Sequence, residues 1–327
     1  MAGIPLTLTC GDYEITRLLA EGAVTADGID LTVLTDIASR DRHWRLARNG
    51  ECDAGEFNVF GYFMAKERGH PFIALPVFPH RRFRHGFVFV NPTKGIRTPR
   101  DLIGRRIGVE GYQTAGCVWM KGILEEFFGV PHREITWVLP RPEDIPFTPP
   151  PGLRIEYAAG DKTDEEMLIG GEIDAVITPQ VPAHFRRGDK RIARLFPNYK
   201  ELEVDYFRRT GIFPIMHLVV ISREIVDRHP WIPTNLARAF HVAKSMAYDR
   251  IRNPRVVPLA WFGDAWEEQV GLMGRDPWAF GLTEANRNTL ATALRYAREQ
   301  GLISATPDLS KLFIDIPESV LEGVPGY

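Results

Sequence analysis

A short segment rich in arginine and histidine has the residue types that most directly indicate chemistry. It reads Phe78-Pro-His-Arg-Arg-Phe-Arg-His85. The planar guanidinium of arginine binds a carboxylate through two parallel hydrogen bonds. Because alternate side chains of an extended segment share a face, either Arg82 with Arg84 or Arg81 with His85 would face a ligand. We therefore expect an anion-binding segment, and the alternative is an exposed basic loop before a strand.

A second candidate for anion binding is the turn Glu110-Gly-Tyr-Gln-Thr-Ala115. It follows a predicted strand and opens a predicted helix, where free backbone N–H groups and the helix dipole favour a carboxylate. Thr114 adds a hydroxyl, and Glu110, Tyr112 and Gln113 complete the predicted substrate contacts of this turn. The alternative is a capped helix that binds nothing.

Histidine is the side chain suited to proton transfer near neutral pH. His217 lies in the apolar strand candidate Ile215–Ile221, where it is either a catalytic acid or a structural core histidine. His85 ends the arginine segment and is a second catalytic candidate. Thr178 and His184, which enclose the segment Pro-Gln-Val-Pro-Ala, are predicted substrate contacts.

Three further polar residues complete the candidate set. Glu56, just after a predicted strand end, is expected to accept a proton from a substrate hydroxyl, and Asn58 to hydrogen-bond to one. A helix N-terminal glutamate that stabilises the dipole is the alternative. Arg17, on the first predicted helix, is either a carboxylate ligand or a surface arginine.

The sequence predicts no cofactor and no metal. It has no His-Glu-x-x-His motif, no diagnostic Cys/His spacing, no Gly-x-Gly-x-x-Gly turn and no Walker-type loop. A metal site formed by ligands scattered along the chain, drawn from Glu56, His85, Glu110 and His217, is left open. A Gly-x-Ser-x-Gly elbow is also missing, which argues against a serine hydrolase.

The elements that must position these residues alternate between strands and helices. Ile4–Thr9 and Ile29–Leu34 have strand patterns and Ser39–Asn49 has a helix pattern, an order typical of parallel βαβ units. The alternation restarts after residue 91 and changes again near residue 212. We therefore predict two α/β lobes, the first discontinuous (1–91 and 212–327) and the second continuous (92–211). A ligand cleft is expected between them.

Composition excludes several classes of protein. The 327 residues include 40 basic and 42 acidic side chains, for a formal charge of −2, which argues against a nucleic-acid partner. There is no apolar run of about 18 residues and no signal-peptide pattern, so we expect a cytoplasmic protein with no membrane partner. Trp261, Phe262 and Trp266 fit either the interface of a homo-oligomer or core burial.

Several segments narrow the prediction further. Gly50-Glu-Cys-Asp-Ala-Gly and Gly171-Glu-Ile-Asp-Ala-Val each resemble a strand-to-helix step of the type II periplasmic-binding-protein fold, and residues 100–109 resemble the entry to its second lobe. The arginine segment and the 108–115 turn together resemble the 4,5-dihydroxyphthalate decarboxylase family. So do Arg209-Thr-Gly-Ile-Phe-Pro-Ile-Met-His217, Asp276-Pro-Trp-Ala-Phe-Gly281, and the region from Asn286 to Leu302.

This resemblance runs from about residue 4 to about residue 316 and implies a two-lobed cytoplasmic enzyme. Its substrate would be an aromatic dicarboxylate, 4,5-dihydroxyphthalate or a close analogue, which is converted to protocatechuate and CO2. The resemblance also favours His217 and His85 as catalytic residues. Departures from the family pattern are His80, Gly86 and the proline-rich segment 136–152.

Such a decarboxylation places a proton on the ring carbon that carries the leaving carboxylate. It needs cations for the carboxylates, a base for a phenol and an acid near that carbon. The alternative function is a solute-binding protein for an aromatic carboxylate, which needs complementary charge but no acid or base.

Overall fold

The computed structural model describes residues 3–143, 145–160 and 162–322, without the side chains of residues 44 and 47–49. The chain forms two compact units. The first comprises Met1–Arg81, Ile215–Asn288 and Pro307–Tyr327, and the second Arg82–Pro214 and Thr289–Thr306. None of the helices in the described ranges combines the length and apolar character needed to cross a membrane.

Eleven strands and eleven helices are defined within the described residues. The strands are β1 (Ile4–Thr9), β2 (Ile29–Leu34), β3 (Ala54–Asn58), β4 (Phe72–Arg81), β5 (Val88–Val90), β6 (Arg106–Val109), β7 (Thr136–Leu139), β8 (Arg154–Tyr157), β9 (Ala175–Ile177), β10 (Ala193–Arg194) and β11 (Ile215–Ser222). The helices are α1 (Glu14–Ala20), α2 (Ser39–Asn49), α3 (Val59–Glu67), α4 (Ala115–Phe128), α5 (Asp164–Gly170), α6 (Ala183–Arg186), α7 (Tyr199–Thr210), α8 (Arg223–Arg228), α9 (Ile232–Ile251), α10 (Phe262–Met273) and α11 (Glu284–Glu299).

The first unit contains a five-stranded sheet in the order β2-β1-β3-β11-β4. β1 pairs in parallel with β2 and β3, while β11 runs antiparallel to β3 and β4. Leu8, Leu75 and Val219 on the strands and Phe240 on α9 are fully buried in one apolar cluster. Because β11 follows residues 82–214, this sheet can only be completed after that part of the second unit has been synthesised.

The second unit contains a six-stranded sheet in the order β10-β5-β9-β6-β7-β8. Strands β6 to β9 pair in parallel, whereas β5 is antiparallel to both of its neighbours. Phe89, Val138, Leu168 and Val176 form its buried core. Residues 85–87 form a 3₁₀ turn immediately before β5.

The division between the units differs from the predicted boundaries of 91/92 and 211/212. The chain passes from one unit to the other at 81/82 and 214/215, and again at 288/289 and 306/307. The additional passages arise from α11, whose buried residues Leu290, Ala293 and Leu294 follow helical spacing. Helical periodicity alone does not identify the surface on which such a helix packs.

Of the aromatic residues assigned to an interface or to the core, Trp266 packs against Tyr248 with ring centroids 5.8 Å apart. Trp261 is 78% exposed, so core burial does not explain its presence.

Packing of α11 against α4 depends on Gly122. A Cβ at this position would overlap the ring of Tyr296, whose edge also meets Trp119 at a centroid distance of 5.6 Å. The glycine therefore permits a close approach of the two helices.

We predict that Gly122→Ala destabilises the protein relative to Gly271→Ala, a matched control on α10 where a Cβ meets nothing within 4 Å. Both changes gain a similar helix propensity, but only the first overpacks a core, which should separate them by about 1–3 kcal/mol. Urea unfolding measures the difference, and equal midpoints would contradict this packing.

Candidate active site

The candidate site of the first unit is built around the carboxylate of Glu56, the middle residue of β3, which is completely buried. This carboxylate accepts hydrogen bonds from the Gly11 backbone N–H and the Tyr13 hydroxyl, each at 2.6 Å. It also pairs with Nη2 of Arg42 at 2.9 Å and with Nδ1 of His217. An ionised carboxylate offers about four acceptor positions, so these four donors fill them.

Strand register brings the site residues together. On β11, His217 lies opposite Asn58 of β3 on one side and opposite His80 of β4 on the other. Glu56 shares the face of Asn58, two residues away, and is therefore a diagonal neighbour of His217. The predicted position of Glu56, after a strand end, was wrong because the strand continues through it to residue 58.

The surroundings of Glu56 keep it ionised. Burial acts to raise the pKa of this carboxyl, but the charge and hydrogen bond of His217 and the charge of Arg42 outweigh it. The pKa of Glu56 is consequently held well below its ordinary value. Because an ionised carboxylate only accepts hydrogen bonds, Nδ1 of His217 must carry the proton between them. The other ring nitrogen, Nε2, makes no hydrogen bond within the described part of the chain.

Two further imidazoles flank His217. The rings of His43 and His80 each lie 4.8 Å from it, centroid to centroid, in edge-to-face contact. His80 also stacks on Tyr13 at 5.6 Å. Burial first, and then the charge of His217, holds the pKa of His43 well below its ordinary value.

Glu56, His80 and His217 also have the donor types that could hold a metal ion, and their ligand atoms lie within 4.8 Å of one another. The hydrogen bonds that already occupy Glu56 would compete with such an ion. The guanidinium of Arg42 adds a positive charge beside it.

The second unit contains a buried arginine, Arg84, whose hydrogen bonding among the described residues is incomplete. Arg84 is 6% exposed, and its Nε and Nη1 find no hydrogen-bond partner among the described residues. Its guanidinium lies against Gly116 in the first turn of α4, where a Cβ would overlap it. Burial, with the neighbouring charge of Arg82, lowers the pKa of Arg84 to about 10. The side chain thus remains cationic at neutral pH and lies beside a helix N-terminus.

The other residues of the arginine segment have internal partners. Arg81 belongs to the first unit and donates to the Ala279 carbonyl and to the Asn286 side chain. Arg82 is half-buried, stacks on Phe87 at 4.0 Å and donates to the Pro179 carbonyl at 3.2 Å.

His85 is enclosed in the second unit by aromatic rings, those of Phe128, Phe196 and Tyr206. Burial lowers its pKa to about 4, and its Nδ1 lies 3.8 Å from Glu203, whose pKa burial raises to about 7. This enclosure is typical of a structural histidine.

Most side chains of the predicted 110–114 turn make contacts within the protein and do not face a ligand. Tyr112 is fully buried beneath Nζ of Lys121, Gln113 donates to the Ile145 carbonyl at 2.7 Å, and Thr114 donates to the Gly111 carbonyl at 2.8 Å. Glu110 contributes negative charge near Arg84. The turn therefore offers backbone rather than side chains to a ligand.

The remaining candidates lie outside both clusters. Arg17 is 39% exposed and pairs with Asp12 and Glu14, as its surface alternative predicts. Asn58 accepts from the Phe60 N–H and caps α3.

Thr178 accepts from the Gln180 N–H at 3.3 Å, which closes a short turn. His184 is 40% exposed, with Nδ1 3.4 Å from Asp189.

Four residues of the Glu56 cluster were missed as functional residues: Tyr13, Arg42, His43 and His80. Arg42 and His43 are neighbours on a helix whose pattern contains polar residues on several faces, so no spacing singled them out. His80 stood out only as a departure from a family pattern.

Comparison with known proteins gives relatives over the whole chain. The 4,5-dihydroxyphthalate decarboxylase of Comamonas testosteroni is 33% identical over 323 residues, which cover 96% of this chain and 97% of the relative. The enzyme of the same name from Pseudomonas putida is 33% identical over 216 residues, covering 64% and 83%. No protein-family model matches the chain.

Solved structures confirm the predicted solute-binding-protein fold. The aliphatic sulphonate binding protein SsuA from Escherichia coli has a TM-score of 0.55 at 11% identity, covering 95% of this chain and 92% of that one. A zinc-bound ligand-binding component of an import system from Staphylococcus aureus has a TM-score of 0.58 at 10% identity, covering 98% of both chains. Both belong to the two-lobed type II class.

We predict that Glu56→Gln destabilises the protein by about 3–5 kcal/mol at neutral pH, because it leaves the buried Arg42 without its counter-charge. The depressed pKa of Glu56 stabilises the fold above the ordinary carboxyl value of about 4.5, and that contribution declines as pH falls below it. The loss caused by the substitution should therefore shrink in acid. Urea unfolding from pH 7 to 3 measures this, and a loss independent of pH would argue against an ionised Glu56.

Proposed function

The chain belongs to the 4,5-dihydroxyphthalate decarboxylase family, and we propose that it converts 4,5-dihydroxyphthalate, or a close analogue, to protocatechuate and CO2. The Glu56–His217 pair is the observation that carries this proposal. A buried carboxylate that accepts from one ring nitrogen fixes the orientation of the imidazole and leaves the other nitrogen for proton transfer. The near-complete alignment with curated decarboxylases supports the choice of reaction.

In the proposed mechanism His217 is the general acid. Its Nδ1 is held by Glu56, so Nε2 is the nitrogen left to deliver a proton. The hydroxyl para to the leaving carboxylate supplies electron density to the ring carbon, which takes the proton from Nε2. The bond to the carboxylate then breaks, CO2 leaves and the electron pair restores the aromatic ring. General acid catalysis of this kind is worth about 10²–10⁴-fold in rate.

Glu56 is a positioning residue in this mechanism and not the base first expected. Its oxygens already accept from four donors and its pKa is depressed, so it is a poor acceptor for a substrate proton. The same hydrogen bonds support the prediction that no metal or cofactor is needed.

For the second unit we propose that Arg84 binds a carboxylate of the substrate. Buried guanidinium nitrogens without acceptors are costly, and a carboxylate ligand would supply acceptors for Nε and Nη1 of Arg84. The α4 N-terminus beside it favours negative charge, and Gly116 provides the space. Arg82 adds a positive charge nearby. A cytoplasmic location and self-association remain predictions.

A solute-binding protein for an aromatic carboxylate is the second candidate, because the fold neighbours in known structures include such receptors for sulphonates. A receptor would use Arg84 but would gain nothing from the Glu56–His217 pair.

The first test is incubation of the purified protein with 4,5-dihydroxyphthalate, with and without EDTA, followed by chromatographic detection of protocatechuate. We expect turnover that EDTA does not reduce. His217→Gln should lower kcat by about 10²–10⁴-fold while the melting temperature and KM change little. Ligand-induced stabilisation without product would instead favour the receptor, and activity abolished by EDTA would contradict the cofactor-free mechanism.

Arg84→Ala should raise KM by about tenfold or more with a smaller change in kcat, because a charge-assisted hydrogen bond is worth about 1.5–3 kcal/mol. Arg17→Ala is the matched control, since Arg17 pairs with surface carboxylates. Equal KM values in the two variants would remove Arg84 from the binding machinery.

A further inference from the structure

The carboxylate site proposed around Arg84 depends on the backbone that opens α4. Thr114 is the residue before the helix, but its hydroxyl donates to the Gly111 carbonyl at 2.8 Å and does not cap the first turn. The first helical hydrogen bond runs from the Val118 N–H to the Thr114 carbonyl, at 2.9 Å. The N–H groups of residues 115–117 have no acceptor within the described ranges, so they remain open to an anion.

The acceptor that would ordinarily cover one of these N–H groups is bound elsewhere. In an α-helix each N–H donates to the carbonyl four residues earlier, so the Tyr112 carbonyl is the acceptor that would close a turn onto Gly116. This carbonyl instead accepts from Nζ of Lys121 at 2.9 Å. The lysine therefore keeps α4 from extending backwards over its own N-terminal N–H groups.

Lys121 is an interior residue of α4 and is buried, with 1% of its surface exposed. Its Nζ also lies over the ring of Tyr112. Burial lowers the pKa of Lys121 to about 7, and the amine can donate to the carbonyl in its charged and in its neutral form. An apolar side chain of similar length would avoid the cost of desolvating the amine. Stability of the fold alone therefore does not account for a lysine at this position.

The backbone of Tyr112 is held on its other side as well. Its N–H donates to the carboxylate of Glu143, which reaches the turn from the segment after β7. Together the two hydrogen bonds fix the peptide groups before and after the Cα of Tyr112. Because each peptide group is planar, the φ and ψ angles of Tyr112 are then set. The path of the chain into α4, which begins at Ala115, is fixed in this way.

We propose that Lys121 is a positioning residue for a substrate carboxylate: by binding the Tyr112 carbonyl it keeps the α4 N-terminus open beside Arg84. The inference rests on the proposed binding of a substrate carboxylate in the second unit, and it identifies a residue that shapes that site. The guanidinium of Arg84 lies against Gly116, and its Nε and Nη1 have no partner among the described residues. These nitrogens and the open N–H groups would together supply the donors for one carboxylate.

The test measures the binding of phthalate, an aromatic dicarboxylate without hydroxyl groups, to the full chain by calorimetry. Lys121→Met should raise Kd by about tenfold or more, because at least one charge-assisted hydrogen bond to the carboxylate is lost. Lys66→Met is the matched control, since Lys66 on α3 in the first unit also donates to a backbone carbonyl, that of Phe72 at 3.3 Å. It should leave Kd unchanged.

A conservative variant separates the hydrogen bond of Lys121 from its charge. Lys121→Gln keeps an N–H donor for the Tyr112 carbonyl but cannot be charged. It should therefore restore most of the affinity for phthalate that Lys121→Met loses. It also tests the proposal independently if the methionine variant fails to fold.

Turnover of 4,5-dihydroxyphthalate provides a readout that a purely structural role would not give. Lys121→Met should raise KM about as much as it raises the Kd of phthalate, with a smaller change in kcat, because the substitution affects binding and not the proton donor. Its melting temperature should change little, since relief from desolvating the amine offsets the loss of one hydrogen bond.

Three results would overturn the role of Lys121. They are a Lys121→Met variant with normal Kd for phthalate, a Lys121→Gln variant that binds as weakly as Lys121→Met, and a loss of kcat as large as the rise in KM. An unmodified protein that binds no phthalate would overturn the carboxylate site and this role together. Tight phthalate binding without any conversion of 4,5-dihydroxyphthalate to protocatechuate would instead refute the decarboxylase function and leave the role of Lys121 intact.

Discussion

The buried carboxylate of Glu56 is the constraint on which the first unit's site depends. Removing a charge from water costs several kcal/mol unless its acceptors are filled. Here the hydrogen-bond donors come from separate parts of the chain: the Gly11 amide, the Tyr13 hydroxyl, Arg42 on α2 and His217 on β11. Any arrangement of these elements that left the carboxylate unpaired would be disfavoured. The buried charge therefore fixes the orientation of the four surrounding donors, and those donors in turn stabilise the charge.

Arg84 presents the opposite case of a buried charge whose partners are incomplete. Its neighbour in sequence, Arg81, is equally buried but donates to a backbone carbonyl and to Asn286. Nε and Nη1 of Arg84 have no hydrogen-bond partner among the described residues, whereas Nη2 of Arg81 donates twice. A guanidinium nitrogen without an acceptor carries a cost that an anionic ligand can relieve. By the same criterion, the carboxylate oxygens of Glu56 have their acceptor positions filled. Nε2 of His217, in contrast, makes no hydrogen bond within the described residues.

Much of the fold could be predicted from local pattern, and the strands Ile4–Thr9 and Ile29–Leu34 and the helix Ser39–Asn49 have the predicted bounds. Long-range partners could not be predicted in the same way. Nothing in the spacing of residue 56 reveals that β3 extends through it and pairs with a strand about 160 residues later. His217 was a candidate from its place in an apolar strand and from the family resemblance, and the structure places it beside Glu56. Arg42 and His43 were missed because helical periodicity does not say which side meets a buried carboxylate.

The requirements of a catalyst differ from those of a receptor for an anion. A receptor requires donors without acceptors, and Nε and Nη1 of Arg84 are such donors among the described residues. Catalysis requires in addition groups whose protonation changes during the reaction and whose positions do not. The sheet keeps such groups in fixed positions, because His80 and His217 are held by the register of β4 against β11 and not by flexible loops. Glu56 orients one of these imidazoles, because its carboxylate accepts from Nδ1 of His217. The buried pair of Glu56 and His217 is thus the feature of this chain that binding an anion would not require.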